Sequence, residues 1–245
     1  MLLLLLLLHW PALLAALGGD PSTTWEAYAI YTPVTTTTAG AQPNVTLVSA
    51  SYEVPEPPLD DDGTTPKWWV GLQSADGMGV LLKPQLTWQN ATWVINTEVL
   101  DYSKVPSFKS LSAPLVVQPG QRIDASVRET GRAGTGEYTL AIGPSARASE
   151  GAAAGVSSQV YAVGVAETRA YAVMEHQPAN CWALPRAGEF VMRGVGVEVA
   201  GAPADPSLWV ARSHLPVCNA HATVSGSDGV IRFRWRVGVG VGVHR

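Results

Sequence analysis

The chain has 245 residues, a formal net charge of −4, and only 15% charged residues, against roughly 25% in ordinary soluble proteins. An acidic balance without a basic stripe leaves nothing to neutralise phosphates, which excludes nucleic acid as a partner. Thr, Ser, Gly and Pro replace the missing charges, a surface that suits an extracellular β-protein.

The chain opens on an unbroken run from Leu2 to Leu8, and apolar character continues past His9 and Pro11 to Leu17. This is shorter than the roughly 20 apolar residues that span a bilayer. It ends on small residues, Ala16-Leu17-Gly18, at the spacing of a signal-peptidase site. Residues 1–18 therefore read as a signal peptide and the mature protein as secreted; an uncleaved anchor is the alternative. Nothing else reads as a membrane span. Residues 19–43, with the Thr35–Thr38 run between Pro33 and Pro43, read as a Thr/Pro-rich leader that forms no core.

From residue 44 to 237 the chain breaks into short segments bounded by Gly, Pro, Asn and Asp. Strands are predicted at Val45–Tyr52, Lys67–Gln73, Val80–Trp88, Trp93–Leu100, Ala113–Val117, Arg122–Arg128 and Glu137–Ile142. Further strands are predicted at Val160–Val165, Tyr171–His176, Glu189–Val199, Ser207–Val210 and Val230–Val237. About a dozen strands with turn signals roughly every ten residues mark an all-β sandwich or barrel. The Ala-rich stretch Ala146–Gly155 reads as a loop insertion. The Gly/Val alternation of the tail, 238–245, reads as an extension of the last strand or as irregular chain.

Successive side chains of a strand point to opposite faces. In Val80–Trp88 this puts Leu82, Leu86 and Trp88 on an apolar face with Pro84, and Lys83, Gln85 and Thr87 on a polar one. Such a strand suits a sheet with one solvated side. Tyr171, Val173 and Glu175 likewise share a face, opposite Ala172, Met174 and His176. Nine tryptophans include Trp68, Trp69, Trp88 and Trp93 on or beside the strands of one sheet. Alternation lets one of Trp68 and Trp69 fill the core while the other meets a ligand, and Trp69 is the candidate for contact.

Cys181 and Cys218, the two cysteines of the chain, suit one disulfide in an oxidising compartment. Asn44-Val45-Thr46 and Asn90-Ala91-Thr92 are glycosylation acceptors in a secreted chain. His214, Cys218 and His221 have a spacing that zinc can use, but a disulfide at Cys218 removes the thiolate. Asp60–Asp62 reads as a solvated turn rather than a calcium loop. No metal and no cofactor is expected. Neither a Gly-x-Ser-x-Gly elbow nor a phosphate-cradling loop occurs, so serine hydrolases and nucleotide enzymes find no support.

Several motifs occur in a telling order: Ser51-Tyr52-x-Val54-Pro55, Trp69-Val70-Gly71-Leu72-Gln73, Leu81-Leu82-Lys83-Pro84-x-Leu86-x-Trp88 and Val117-x-Pro119-Gly120-Gln121. Ala172-Val173-Met174-Glu175, Cys181-x-x-Leu184-Pro185 and Pro216-x-Cys218 follow. Together they resemble secreted concanavalin-like β-sandwich proteins related to the glutamic peptidases, the eqolisins, over roughly residues 45–237. The resemblance implies a jelly-roll sandwich of two antiparallel sheets. It also implies a catalytic pair across the concave sheet, in which a Glu is the general acid/base and a Gln amide stabilises the oxyanion. The Glu position falls on Glu175 and the Gln position on Lys83. Gln85 lies on the same face, but two residues along a strand is roughly 6.6 Å, too far to supply the missing amide. An ammonium close to Glu175 favours its carboxylate form. The reading that follows is a secreted, non-catalytic module in which Lys83, Gln85, Glu175 and Trp69 hold a carbohydrate or polypeptide. The alternative is a glutamic-type acid endopeptidase with Glu175 as general acid/base and Lys83 or Gln85 in place of the usual Gln.

Overall fold

The computed structural model describes residues 24–34, 43–60, 63, 65–74, 77, 79–131, 134–145, 155–164, 166–176, 181–213 and 217–237. The expected signal segment, the threonine run, most of the Ala146–Gly155 insertion, the 238–245 tail, Asp61, Asp62 and His214 lie outside them.

The described residues form strands and three single-turn 3-10 segments. The strands are β1 (Trp25–Tyr31), β2 (Val45–Glu53), β3 (Lys67–Gln73), β4 (Val80–Gln89), β5 (Thr92–Asp101), β6 (Phe108–Leu111), β7 (Leu115–Val117) and β8 (Arg122–Glu129). They continue as β9 (Glu137–Pro144), β10 (Ser157–Ala162), β11 (Arg169–Glu175), β12 (Glu189–Val199), β13 (Ala202–Pro203), β14 (Trp209–Ser213), β15 (His221–Ser225) and β16 (Val230–Arg234). Two antiparallel sheets result. The first runs β14-β1-β11-β3-β4-β5-β6, with β7 also on β5; the second runs β10-β9-β8-β2-β12-β16-β15, with β13 on β12. This is the all-β sandwich that the strand pattern predicts.

Between the sheets lies a core in which period-two alternation is visible residue by residue. Trp68, Val70 and Leu72 of β3, Leu82, Leu86 and Trp88 of β4, and Ala170, Ala172 and Met174 of β11 meet Ile123, Leu140, Met192 and Phe233 of the second sheet. Trp68 is its centre. Its ring stacks on Phe190 at 4.9 Å and lies 5.6 Å from Trp93 and 5.8 Å from Trp235. The Cys181–Cys218 disulfide is formed, joining the segment after β11 to the segment after β14.

The outer face of the first sheet is not the solvated surface that its polar residues predict. Trp25, Tyr28, Trp69, Leu81, Tyr171 and Val173 form a second buried cluster there, with Trp25 edge-on to Trp69 at 4.9 Å and to Tyr171 at 5.3 Å. Trp25 and Tyr28 belong to β1, which is inserted between β11 and β14. The reading of 19–43 as a leader without a core is corrected for residues 25–31. Those residues, Trp-Glu-Ala-Tyr-Ala-Ile-Tyr, show no clean alternation, because the register shifts between Trp25 and Ala27 and alanine gives a weak apolar signal although it packs well between bulky neighbours. Short or polar strands β6, β13 and β15 likewise carry little pattern. The predicted strand at Ser207–Val210 starts as a 3-10 turn over Pro206–Leu208, capped by Asp205.

Pro84 sits in a strand paired on both sides. The β4–β5 ladder is continuous through Pro84↔Thr97, whereas the β3–β4 pairs stop at Trp69↔Gln85 and resume at Leu72↔Leu82. A proline nitrogen has no hydrogen to donate to a ladder, and the gap falls there. Across the gap, Gly71 lets the strands close up: a Cβ on it would run into the Leu82 carbonyl oxygen and press on the Trp69 ring. Gly71→Ala is expected to destabilise the fold by about 1–3 kcal/mol through overpacking, read as a lowered urea midpoint with an unchanged slope.

Candidate functional site

Five strands bring charge together on the outer face of the first sheet. A two-residue turn, Asn90–Ala91, joins β4 to β5, both residues having positive φ (50° and 56°), as a tight hairpin turn of this hand requires. That turn fixes the register from Gln89↔Thr92 inward and sets Lys83 directly opposite Glu98 and Gln85 opposite Asn96. On the other side of β3, β11 ends with Glu175 opposite Lys67.

Lys83 Nζ lies 2.7 Å from Glu98 Oε2 and 3.3 Å from Glu175 Oε2, with all three side chains at most 7% exposed. The Trp69 indole donates to Glu175 Oε2 at 2.9 Å, and the ammonium sits 5.5 Å from the centre of a Trp69 ring. Two further lysines complete the network from its rim: Lys67 at 3.6 Å from Glu175 Oε1 and Lys109 at 2.7 Å from Glu98 Oε1. Three ammonium groups thus hold two carboxylates. Gln85 donates its amide to Asn96 Oδ1 at 2.9 Å and is buried as well.

Burial and neighbouring charge oppose each other at each of these groups. Burial alone would raise the Glu98 pKa, but the Lys83 charge and the hydrogen bonds from Lys109 and Lys83 prevail and hold it at about 2. Burial also pushes Glu175 upward, and is overcome by Lys83, Lys67 and the Trp69 indole, so its pKa falls below the ordinary value. Burial lowers Lys83, yet the two glutamates outweigh it and raise it. Lys67 is lowered, because burial there prevails over Glu175. At neutral pH Glu98, Glu175 and Lys83 are charged and bound to one another.

The residues expected at the site are therefore on one face, and Lys83 and Glu175 are in contact. Their exposure differs from expectation: Lys83 is 3%, Gln85 3%, Glu175 5% and Trp69 0% exposed. Trp69 is enclosed by the second aromatic cluster, because β1 brings Trp25 over it. Glu98, Lys67 and Lys109 were not singled out by sequence; Glu98 was accessible from the hairpin register, Lys109 was not. Beside them, Tyr102 is half-exposed at the start of the β5–β6 connection. Its pKa is raised by burial and by Glu175 and Glu98, against the opposing charge of Lys83. Just past β11, His176 Nδ1 lies 3.0 Å from Glu26 Oε1, both side chains fully buried.

Among the described residues no cluster of three or more His, Cys, Asp or Glu could hold a metal ion, and Cys218 is committed to the disulfide. Among the same residues no helix is long and apolar enough to cross a membrane. Asn90 is exposed in the hairpin turn, while Asn44 is half-buried at the start of β2.

The sandwich is similar to solved glutamic peptidases. Structures of scytalidoglutamic peptidase with transition-state analogues, one of them peptide-based, superpose with a TM-score of 0.61 at 14% identity, covering 87% of this chain and 98% of theirs. SCP-B, a member of the eqolisin family, in complex with the tripeptide Ala-Ile-His, gives 0.57 at 13% identity over 86% of this chain and 98% of its own. At this identity the likeness establishes the fold. No family model matches the sequence, and no curated protein does.

Removing Lys83 while keeping its partners leaves buried carboxylates without their central cation, a change of about 3–5 kcal/mol in other proteins. Lys83→Met is expected to lose stability of that order at pH 7. Without the ammonium both glutamates titrate higher in the folded state, so the deficit shrinks as pH falls toward 4. In the parent protein the contribution of Glu98 is complete above its ordinary pKa of 4.5 and is lost as pH falls through about 2. Urea denaturation of both proteins across pH 2–7 checks both signs.

Proposed function

We infer that this chain is a secreted, non-catalytic β-sandwich module on a glutamic-peptidase-type scaffold, which binds a polypeptide or carbohydrate at the outer face of its first sheet without cleaving it. The observation that carries the reading is the Lys83 ammonium held between Glu98 and Glu175. Peptide hydrolysis by a glutamate needs a carboxyl that gains and loses a proton, and a donor free to meet the developing oxyanion. Here both Glu175 oxygens are engaged by cations or by the Trp69 indole. Lys83 occupies the place that the resemblance gives to the amide, and the nearby amide of Gln85 is spent on Asn96. A ligand on this face would meet the rim, Tyr102 and the half-exposed Lys109, with the buried network as support beneath it. The disulfide suits an extracellular location.

The second reading, a glutamic-type acid endopeptidase with Glu175 as acid/base, draws on the fold neighbours, whose structures hold transition-state analogues. Digestion of denatured protein substrates across pH 2–7 separates the two. The expected result is no cleavage at any pH, with binding of peptides or glycans on an array reduced by Tyr102→Ala and Lys109→Ala. Cleavage that disappears in Glu175→Gln would overturn the non-catalytic reading.

A further inference from the structure

Two open concavities lie on the other sheet. A groove of about 800 Å³ crosses the outer face of the second sheet, and a hollow of about 300 Å³ continues it. Ser51, Arg122 and Arg193 line both. The floor is low because the outward positions of β2, β8 and β9 are short: Ser49 and Ser51, Ser126, then Ala141 and Gly143. Across it, Arg193 of β12 stands level with Ser51, and Arg122 of β8 is level with Glu53, two positions further along β2. Two strand spacings across and two residues along put the arginine Cα atoms about 12 Å apart, close enough for both side chains to reach one ligand.

Arg193 is placed by a bulge. The β12–β2 register shifts between Arg193↔Ser51 and Gly196↔Ser49, with Gly194 in the left-handed region at φ 55°. Bulges of this kind re-aim a side chain out of the ladder. The guanidinium groups of Arg122 and Arg193 make no hydrogen bond or ion pair among the described residues, unlike Arg128, Arg232 and Arg234 of the same sheet, which pair with Glu198 and Glu189. Asp124, between them, accepts from Ser51 at 2.5 Å through Oδ1. Its other oxygen adds an acceptor to the serine hydroxyls.

We propose that this groove binds an acidic polysaccharide, with Arg122 and Arg193 forking onto carboxylates of uronate-type sugars and Ser49, Ser51, Ser126 and Asp124 meeting ring hydroxyls. Guanidinium and carboxylate match in bidentate geometry, and the arginine spacing is about that of a disaccharide repeat. An acidic peptide fits less well. The groove lies on the face of interior strands, whose backbone groups are already paired, so strand addition has no edge to use. The site is independent of any chemistry at Glu175, on the opposite sheet.

Calorimetric titration of the full mature protein with oligogalacturonate tests the proposal, with a neutral oligosaccharide of the same length and polyglutamate as separate arms. Expected are binding of oligogalacturonate alone, weakening with added salt, and loss of at least roughly tenfold in affinity for Arg122→Gln or Arg193→Gln. Arg193→Lys, which keeps charge but not the fork, falls in between, and Arg212→Gln, at an exposed position of β14 in the other sheet, has no effect. Circular dichroism melts confirm that the exposed substitutions leave the fold intact. Absence of oligogalacturonate binding, equal binding of polyglutamate or of the neutral sugar, or affinity indifferent to both arginines would overturn it.

Discussion

An ammonium ion buried in a protein has to be answered by negative charge, and much of the first sheet is arranged around that requirement at Lys83. One carboxylate would neutralise it. Two carboxylates, Glu98 and Glu175, leave an excess of negative charge that Lys67 and Lys109 compensate from the rim. The five groups come from β3, β4, β5, β6 and β11, so the charge network is also a register lock on five strands. A slip of one residue in any of them would turn its charged side chain into the apolar core. Polar interiors of this kind act less as a source of stability than as a selector of one arrangement over its neighbours, since isosteric apolar packing is often as stable.

The aromatic cluster on the same face serves that network. Trp69 contributes in two ways, donating its indole proton to Glu175 and lying beside the Lys83 ammonium, and Trp25 and Tyr171 keep its ring in place. By closing water off, these rings strengthen every charge–charge attraction beneath them. The scaffold shared with glutamic peptidases thus carries, at the centre of one sheet, a set of closed ion pairs. The second sheet is the contrary case: short side chains, an open trough, and two guanidinium groups, those of Arg122 and Arg193, without partners among the described residues.

The sandwich was legible because core positions in β3, β4 and β11 alternate strictly with outward ones, and because Gly, Pro and Asn punctuate the chain between them. The face shared by Lys83, Gln85 and Glu175 was legible for the same reason. Burial of that face was not, because it depends on β1, a strand whose alanines conceal its pattern and which reaches the site across the sheet rather than along the chain. Lys109 could not be foreseen either, since β6 joins the network through a pairing with β5 that no local motif announces. The arginine groove has no linear signature at all: its floor is made of serines, alanine and glycine, which in sequence look like unremarkable strand residues.

Asn90 illustrates how closely separate demands can coincide in this fold. It is the acceptor residue of a glycosylation sequon and also the first residue of the turn that sets Lys83 against Glu98, where its positive φ is one that asparagine tolerates better than most residues. Replacing Asn90 would therefore remove the sequon and disturb a strand register together, and any change in the protein's behaviour would have two causes. Thr92, which begins β5 and has no part in the left-handed turn geometry, is the position where the sequon can be removed with the turn left intact.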